Sequence, residues 1–308
     1  MPIDFALRTF RSFDNTEIAY QRCGEGTGLP VVLSNGLGGD YRAWKHVYDR
    51  FAGSRRFVTW DYRGLYRSGP PKTRHTLGPK SQALDLERLL DELGWQRAIL
   101  VGWSMGVQVN FEAWRRFPER VAALGVVNGV AGRPFDTALG SRLARYVIPL
   151  ALRQMRRRSR LVGKITGAMT GWSGLLPMMQ GLGMVGATID LQLFSEFART
   201  FASLDFDLYG ATLAALGRHD AHDVLPTITV PMRIVTGDRD TLTPVATARK
   251  LERAVPQATL RILEGATHYT PVEFPKEVCE ELARLFDAAE AAEAARSAKG
   301  SGAGEAAT

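Results

Sequence analysis

The chain has 308 residues, is 45% hydrophobic and 23% charged, and carries a formal net charge of +7. That length buries a substantial core, as one large domain or as a domain with an insertion, and the composition is that of an ordinary globular protein. Its two cysteines, Cys23 and Cys279, lie far apart and without a partner motif, which excludes a disulfide framework and a cysteine zinc site.

The start, Met1 to Phe5, has no basic region followed by a long apolar core, so no signal peptide is read there and a cytoplasmic location is expected. Residues Phe5 to Phe13 and Thr16 to Arg22, separated by Asp14 and Asn15, read as a β-hairpin. Pro30 to Ser34 reads as a buried strand, Tyr41 to Phe51 as a helix and Phe57 to Trp60 as a further strand. A helix from about Ser81 to Leu93 leads to the apolar run Arg97 to Val101. A helix-like stretch follows over Val107 to Phe117, and Val121 to Val127 is another apolar run.

The alternation then stops. From about Ala131 to Asp223 there is no clear strand, and Met155, Met169, Met178, Met179 and Met184 make five of the chain's eight methionines, as in a mostly helical insertion of lid character. Basicity concentrates here too. Between Thr137 and Ile189 there is no Asp or Glu, while Arg142, Arg145, Arg153, Arg156, Arg157, Arg158, Arg160 and Lys164 contribute +8 of a net +7, leaving −1 for the rest. One basic block without interleaved aromatic residues does not call for a nucleic-acid partner. Ile165 to Ile189 is uncharged, but its many glycines make it a poor membrane span. The pattern resumes with Met232 to Thr236, a helix from about Pro244 to Ala254, Thr259 to Leu263, and a last helix from about Pro271. Ala288 to Thr308 is rich in Ala, Glu, Gly and Ser and is expected to be a frayed helix end entering a disordered tail. Strands alternating with helices imply an α/β fold, a mostly parallel central sheet with helices on both faces. The core then spans residues 1–130 and 224–287, with the insertion at 131–223 and the tail at 288–308.

Between the run ending at Val101 and the following helix stand Gly102, Trp103, Ser104, Met105 and Gly106. A serine flanked by glycines at a strand-to-helix turn is a nucleophile elbow, which lifts the hydroxyl out of the sheet. Ser104 is the candidate nucleophile, and it needs a base and an acid. His46 and His75 read as solvated residues; His219, Asp220, His222 and Asp223 resemble a metal cluster but lack a third ligand set, so no metal is expected. His268 follows Gly265, Ala266 and Thr267 in a loop at a strand's carboxyl end, where a base could reach Ser104. Asn128 ends the strand before the insertion and cannot carry the charge. The next strand ends in Gly237, Asp238, Arg239 and Asp240, so one of the two aspartates is the acid. Ser34 to Gly39 forms a Gly-rich turn after a strand, and the Leu37 and Met105 amides would make an oxyanion hole.

With nucleophile, acid and histidine in that chain order, the sequence resembles the α/β-hydrolase family from Phe5 to Phe286. The likeness rests on the elbow, the Gly-rich loop, Asp61, Tyr62, Arg63 and Gly64 with Ser68, Gly237 to Asp240 with Pro244, and Gly265 to His268. The resemblance implies that Asp240 is the acid and that the insertion is a cap domain. Asn35 stands where relatives usually have His, and Tyr66 where Gly is common, a change expected to narrow or reshape the pocket mouth. Ser rather than Asp at the nucleophile position argues against the dehalogenase and epoxide hydrolase branches.

The resulting expectation is a cofactor-independent serine esterase of lipase-like type, cleaving a lipophilic small-molecule ester through an acyl-enzyme. The same residues would serve a carbon–carbon bond hydrolase, an acyl transferase or a perhydrolase, and a non-catalytic ligand-binding or membrane-associated relative is the alternative of another class. The methionine-rich interval is expected to line the pocket. The stretch Arg153 to Lys164 is expected to be a solvated helix face, with attraction to anionic lipid as its second reading.

Overall fold

The computed structural model describes residues 6–138, 141 and 143–305. Phe5 of the expected hairpin and Arg142 of the basic block therefore lie outside the described residues. Strands β1 (Ala6–Arg11) and β2 (Glu17–Cys23) form the antiparallel hairpin. Its turn passes through Asn15 at φ 65°, a left-handed conformation that Asn tolerates better than most side chains.

Next come β3 (Val31–Ser34), a 3-10 turn over Tyr41–Trp44 and α1 (Lys45–Phe51), so the single helix expected there is divided in two. Asp40 caps the first piece by accepting from the Arg42 N–H. Then follow β4 (Phe57–Trp60), α2 (Pro79–Glu92), β5 (Ala98–Trp103), α3 (Met105–Arg116) and β6 (Val121–Val127). After the insertion the chain forms β7 (Met232–Gly237) and β8 (Ala258–Leu263). The eight strands make one sheet in the order β1-β2-β4-β3-β5-β6-β7-β8, antiparallel across β1, β2 and β4 and parallel from β4 onward.

Every residue of β3 to β6 is buried, because helices cover both faces of a parallel sheet. Successive side chains feed two cores. Val32, Val58, Leu100 and Ile234 point to the side of Leu86, Leu89 and Phe111, whereas Val31, Leu33, Ile99 and Val101 join Val47, Leu282 and Phe286. The parallel register puts the carboxyl ends of β3, β5, β6, β7 and β8 side by side, and the loops leaving β3, β5, β7 and β8 carry the candidate residues.

Between β6 and β7 the chain makes α4 (Ala144–Arg157), α5 (Ser159–Thr170), α6 (Leu175–Gly181), α7 (Leu191–Ala202) and α8 (Phe206–Leu216). Asp190 and Asp205 cap the last two helices through their side chains. Helix α7 buries Leu193, Phe194 and Phe197, whereas α5 and α6 bury no residue. Among the described residues, no helix is long and apolar enough to cross a membrane.

The carboxy-terminal part departs from expectation. A short helix, α9 (Val245–Ala254), joins β7 to β8. A single turn, α10 (Thr270–Glu273), then precedes α11 (Pro275–Glu305), which continues through most of the region read as a disordered tail. Alanine has the highest intrinsic helix propensity, and this face of α11 is held down: Ala289 is buried, and Glu290 and Glu293 each meet an arginine of the core, Arg55 and Arg97, at 2.7 Å. Residues 306–308 of that region lie outside the described residues.

Candidate active site

The turn from β5 to α3 has the geometry that its glycines allow. Ser104 sits at φ 54°, ψ −115°, a strained conformation for a residue with a side chain. A Cβ on Gly102 would lie 2.5 Å from the Gly106 carbonyl carbon, and one on Gly106 would lie 2.1 Å from the Ser34 carbonyl oxygen. Both approaches are to backbone. A larger residue at Gly102 would force the turn itself open and one at Gly106 would push it off β3, which is the physical content of the glycine-serine-glycine spacing.

Three candidate side chains converge at this turn. The Ser104 Oγ lies 2.9 Å from His268 Nε2, and His268 Nδ1 lies 2.8 Å from Asp240 Oδ2. Asp240 is buried and receives a dense set of donors. Asn128 Nδ2 and Thr243 Oγ1 donate to Oδ2 at 2.7 and 2.5 Å, and the Leu242 and Thr243 N–H groups donate to Oδ1 at 2.8 Å. Burial works against its charge, but the adjacent His268 and the Thr243 hydrogen bonds outweigh it and hold the carboxyl down at about 2. Asp238 is exposed and instead accepts the Gly265 N–H at 2.7 Å, so of the two aspartates only Asp240 touches His268. The other histidines lie elsewhere. His46 is 3.7 Å from Asp190, His75 is exposed, His222 pairs with Asp220 at 2.9 Å, and buried His219 meets Glu112 at 2.7 Å.

The Gly-rich loop after β3 runs beside the serine, and Leu37 lines the same cavity as Ser104 and His268. The Met105 side chain is packed in the core at the first turn of α3. Among the described residues, neither the Leu37 nor the Met105 N–H has a backbone acceptor. The loop is pinned from several sides: Tyr62 Oη donates to the Asn35 carbonyl at 2.6 Å, Asn35 Nδ2 to the Trp60 carbonyl at 3.1 Å, and Trp44 Nε1 to Asn35 Oδ1 at 3.0 Å. Tyr66, at φ 51°, donates from its hydroxyl to the Gly38 carbonyl at 2.5 Å, so it braces the loop.

Comparison with known proteins agrees with this fold. A model of the alpha/beta hydrolase family matches residues 31–281. The chain belongs to that family. Among its relatives is an uncharacterized protein of Mycobacterium tuberculosis, 26% identical over 277 residues, which span 87% of this chain and 78% of the relative. Its fold is shared with an esterase from Exiguobacterium antarcticum (TM-score 0.74, 20% identity, covering 91% of this chain and 98% of that one). The enol-lactonase from Burkholderia xenovorans is similar in fold (TM-score 0.72, 21% identity, covering 91% and 100%).

In this α/β hydrolase several residues that the sequence did not single out as site residues hold the site together. Asn128, set aside as an acid, takes a left-handed φ of 46° and donates to Asp240 and, at 3.2 Å, to the Thr267 carbonyl. Trp103 Nε1 donates to the His268 carbonyl at 2.8 Å. Glu273 is buried: its carboxylate accepts the Thr267 N–H at 2.8 Å, the Thr267 hydroxyl at 2.7 Å and the Gly186 N–H of the insertion at 2.6 Å. No motif marks Asn128 or Glu273, and although Trp103 stands inside the elbow, its hydrogen bond to the His268 loop forms only on folding.

A cavity of about 580 Å³ opens beside Ser104 and His268. Its walls are largely apolar, with Met169, Met178, Met179 and Met184 from the insertion facing Phe194, Phe197 and Phe201 of α7. The fifth methionine of the interval, Met155, instead reaches Gly210 on α8.

Proposed function

We propose that this α/β hydrolase is a serine hydrolase that cleaves a lipophilic carboxylic ester. The reading is carried by the unbroken chain of contacts from Ser104 through His268 to Asp240 beside an apolar cavity. Ser104 Oγ attacks the acyl carbon while His268 Nε2 takes its proton, and the Leu37 and Met105 amides receive the developing oxyanion. Collapse expels the alkoxide, which takes the proton back from the imidazolium. Water then gives a proton to Nε2, attacks the acyl carbon and frees the acid, and the proton returns to Ser104. Asp240 fixes the tautomer with Nδ1–H toward itself and balances the imidazolium, while Asn128 and Thr243 keep its carboxylate in place.

Helices α4 to α8 serve as a cap over the site. A cavity of about 580 Å³ suits a small-molecule ligand, and flexible methionine walls adapt to varied apolar groups. The esterase and enol-lactonase names among its fold relatives are in line with ester chemistry, while a bromoperoxidase of the same fold is named for another reaction.

The test is hydrolysis of p-nitrophenyl esters from acetate to octanoate, with fluorophosphonate labelling beside it. Efficiency should rise toward the medium-chain esters, and the probe should label Ser104. A steady fall from acetate onward would remove the lipophilic substrate, and an unlabelled Ser104 would remove the serine mechanism.

A further inference from the structure

Helices α4 to α6 carry an outer surface that a solvated helix face does not explain. Leu143 at the N-cap of α4 and Val147 and Leu150 within it follow one another at three- and four-residue spacing, as do Leu161 and Ile165 on α5, and each is more than half exposed. Residues at that spacing share a helix face. Trp172, in the turn before α6, is 53% exposed, whereas the other five tryptophans are 7% exposed or less. An apolar face of this extent, turned outward on a cap, is the mark of an interaction surface.

Most of the charge on the same helices has no carboxylate partner among the described residues. Arg153, Arg157, Arg158, Arg160 and Lys164 are exposed, and among the described residues none meets a carboxylate, in a stretch that holds no Asp or Glu from Thr137 to Ile189. Arg156 alone turns inward, and it finds Asp207 at 2.9 Å. On the core, by contrast, Arg55, Arg63, Arg67 and Arg120 are all paired. Unpaired cations interleaved with exposed leucines complement a surface that is anionic outside and apolar just beneath. Water suits the arginines alone, a second copy of this chain would suit the leucines while bringing like charges together, and a nucleic acid would leave the leucines in water.

The third observation is the position of the cavity mouth. Met178, Leu182 and Met184 line the cavity and are also 37%, 65% and 43% exposed, so its rim is made by the same cap segment.

We propose that the outer face of α4 to α6 docks on an anionic lipid bilayer. The leucines, Ile165 and Trp172 enter the boundary between headgroups and acyl chains, the arginines and Lys164 sit on lipid phosphates, and the cavity mouth faces the lipid. Neither part anchors strongly alone; an apolar insertion and a polybasic patch together make stable peripheral binding. The inference does not depend on the hydrolase reading, because the test reads binding.

The experiment is sedimentation of the full chain with vesicles of pure phosphatidylglycerol or pure phosphatidylcholine at low ionic strength, with iodide quenching of Trp172 in parallel. Binding to phosphatidylglycerol, at least about tenfold stronger than to phosphatidylcholine, and shielding of Trp172 are expected. Two variants carry the assignment, Arg157→Glu/Arg158→Glu/Arg160→Glu/Lys164→Glu and Leu161→Ser/Ile165→Ser. Each should lower vesicle partitioning at least about tenfold, with an unchanged circular dichroism spectrum and unchanged thermal midpoint as the control for folding. The proposal falls if phosphatidylglycerol vesicles do not bind, if both lipids bind equally, or if either variant binds like the parent. It also falls if Trp172 is already shielded in a lipid-free dimer, or if duplex DNA binds and the vesicles do not.

Discussion

Exchanging Asp240 and Asp238 separately for asparagine tests how the site works, because the two carboxylates lie two residues apart on one loop yet meet different partners. Asp240 receives donors on both oxygens: His268 Nδ1, Asn128 Nδ2 and Thr243 Oγ1 on Oδ2, and two N–H groups on Oδ1. In Asp240→Asn one oxygen becomes an NH₂ that faces donors, and the imidazolium of the transition state loses its counter-charge. The carboxyl is held at about 2 against an ordinary 3.8, a difference worth about 2 kcal/mol to the folded state. The catalytic cost of a misdirected histidine is larger, about 10³- to 10⁴-fold in kcat, or roughly 4 to 5.5 kcal/mol. Asp238→Asn keeps an amide oxygen for its one contact, the Gly265 N–H, and should retain kcat within about twofold. Hydrolysis of p-nitrophenyl butyrate by the purified variants gives the comparison, and thermal denaturation gives the stability arm. Because the folded value is depressed, the stabilisation from Asp240 is fully present above pH 3.8 and disappears as pH falls through about 2, so the gap in thermal midpoint between the parent and Asp240→Asn should close over that interval. Equal catalytic losses at the two positions, or a greater loss at Asp238, would refute the assignment.

Ser104→Ala should abolish turnover, to below about a thousandth of the parent, with an unchanged circular dichroism spectrum, because in the proposed mechanism the hydroxyl is the nucleophile and it contributes little packing. Glu273→Gln leaves one acceptor oxygen for three donors, so one or more buried donors lose their partner; a loss of about 1 to 3 kcal/mol by denaturant titration is expected, with a lower kcat as the His268 loop loosens. Burial pushes the Cys23 thiol up to about 12 and the Cys279 thiol up to about 11, so both should resist a thiol reagent at pH 8 and react only after the addition of denaturant. Labelling of either at the rate of a free thiol in the native protein would contradict their burial.

The sheet was largely legible in advance because its strands are buried on both faces and therefore appear as apolar runs: Val121–Val127 matches its strand residue for residue, and β5 runs two residues further than the run that announced it. The elbow was legible because backbone crowding at Gly102 and Gly106 leaves a local trace. The helical continuation of α11 was not, since the contacts of Glu290 with Arg55 and Glu293 with Arg97 join residues more than 190 apart. Asn128 was read correctly as unable to carry the acid's charge, yet its amide hydrogen bond to Asp240 spans 112 residues and has no pattern to announce it.

What the sequence by itself determined is therefore what short-range sterics and hydrophobic periodicity can encode: the strand-to-helix alternation, the tight serine turn, the Gly-rich loop, and the confinement of methionine and positive charge to one acid-free stretch. The residues themselves left Asp238 and Asp240 open and only the family resemblance favoured Asp240; the hydrogen bond of Asp240 with His268, the bracing of the loop by Tyr66, the Glu273 link from Gly186 to Thr267, and the exposed leucines beside unpaired arginines are seen only in the tertiary structure. The physical reason is range. A hydrogen bond acts over about 3 Å whatever the separation along the chain, so its partners are known only once the sheet has brought its loops to the same edge.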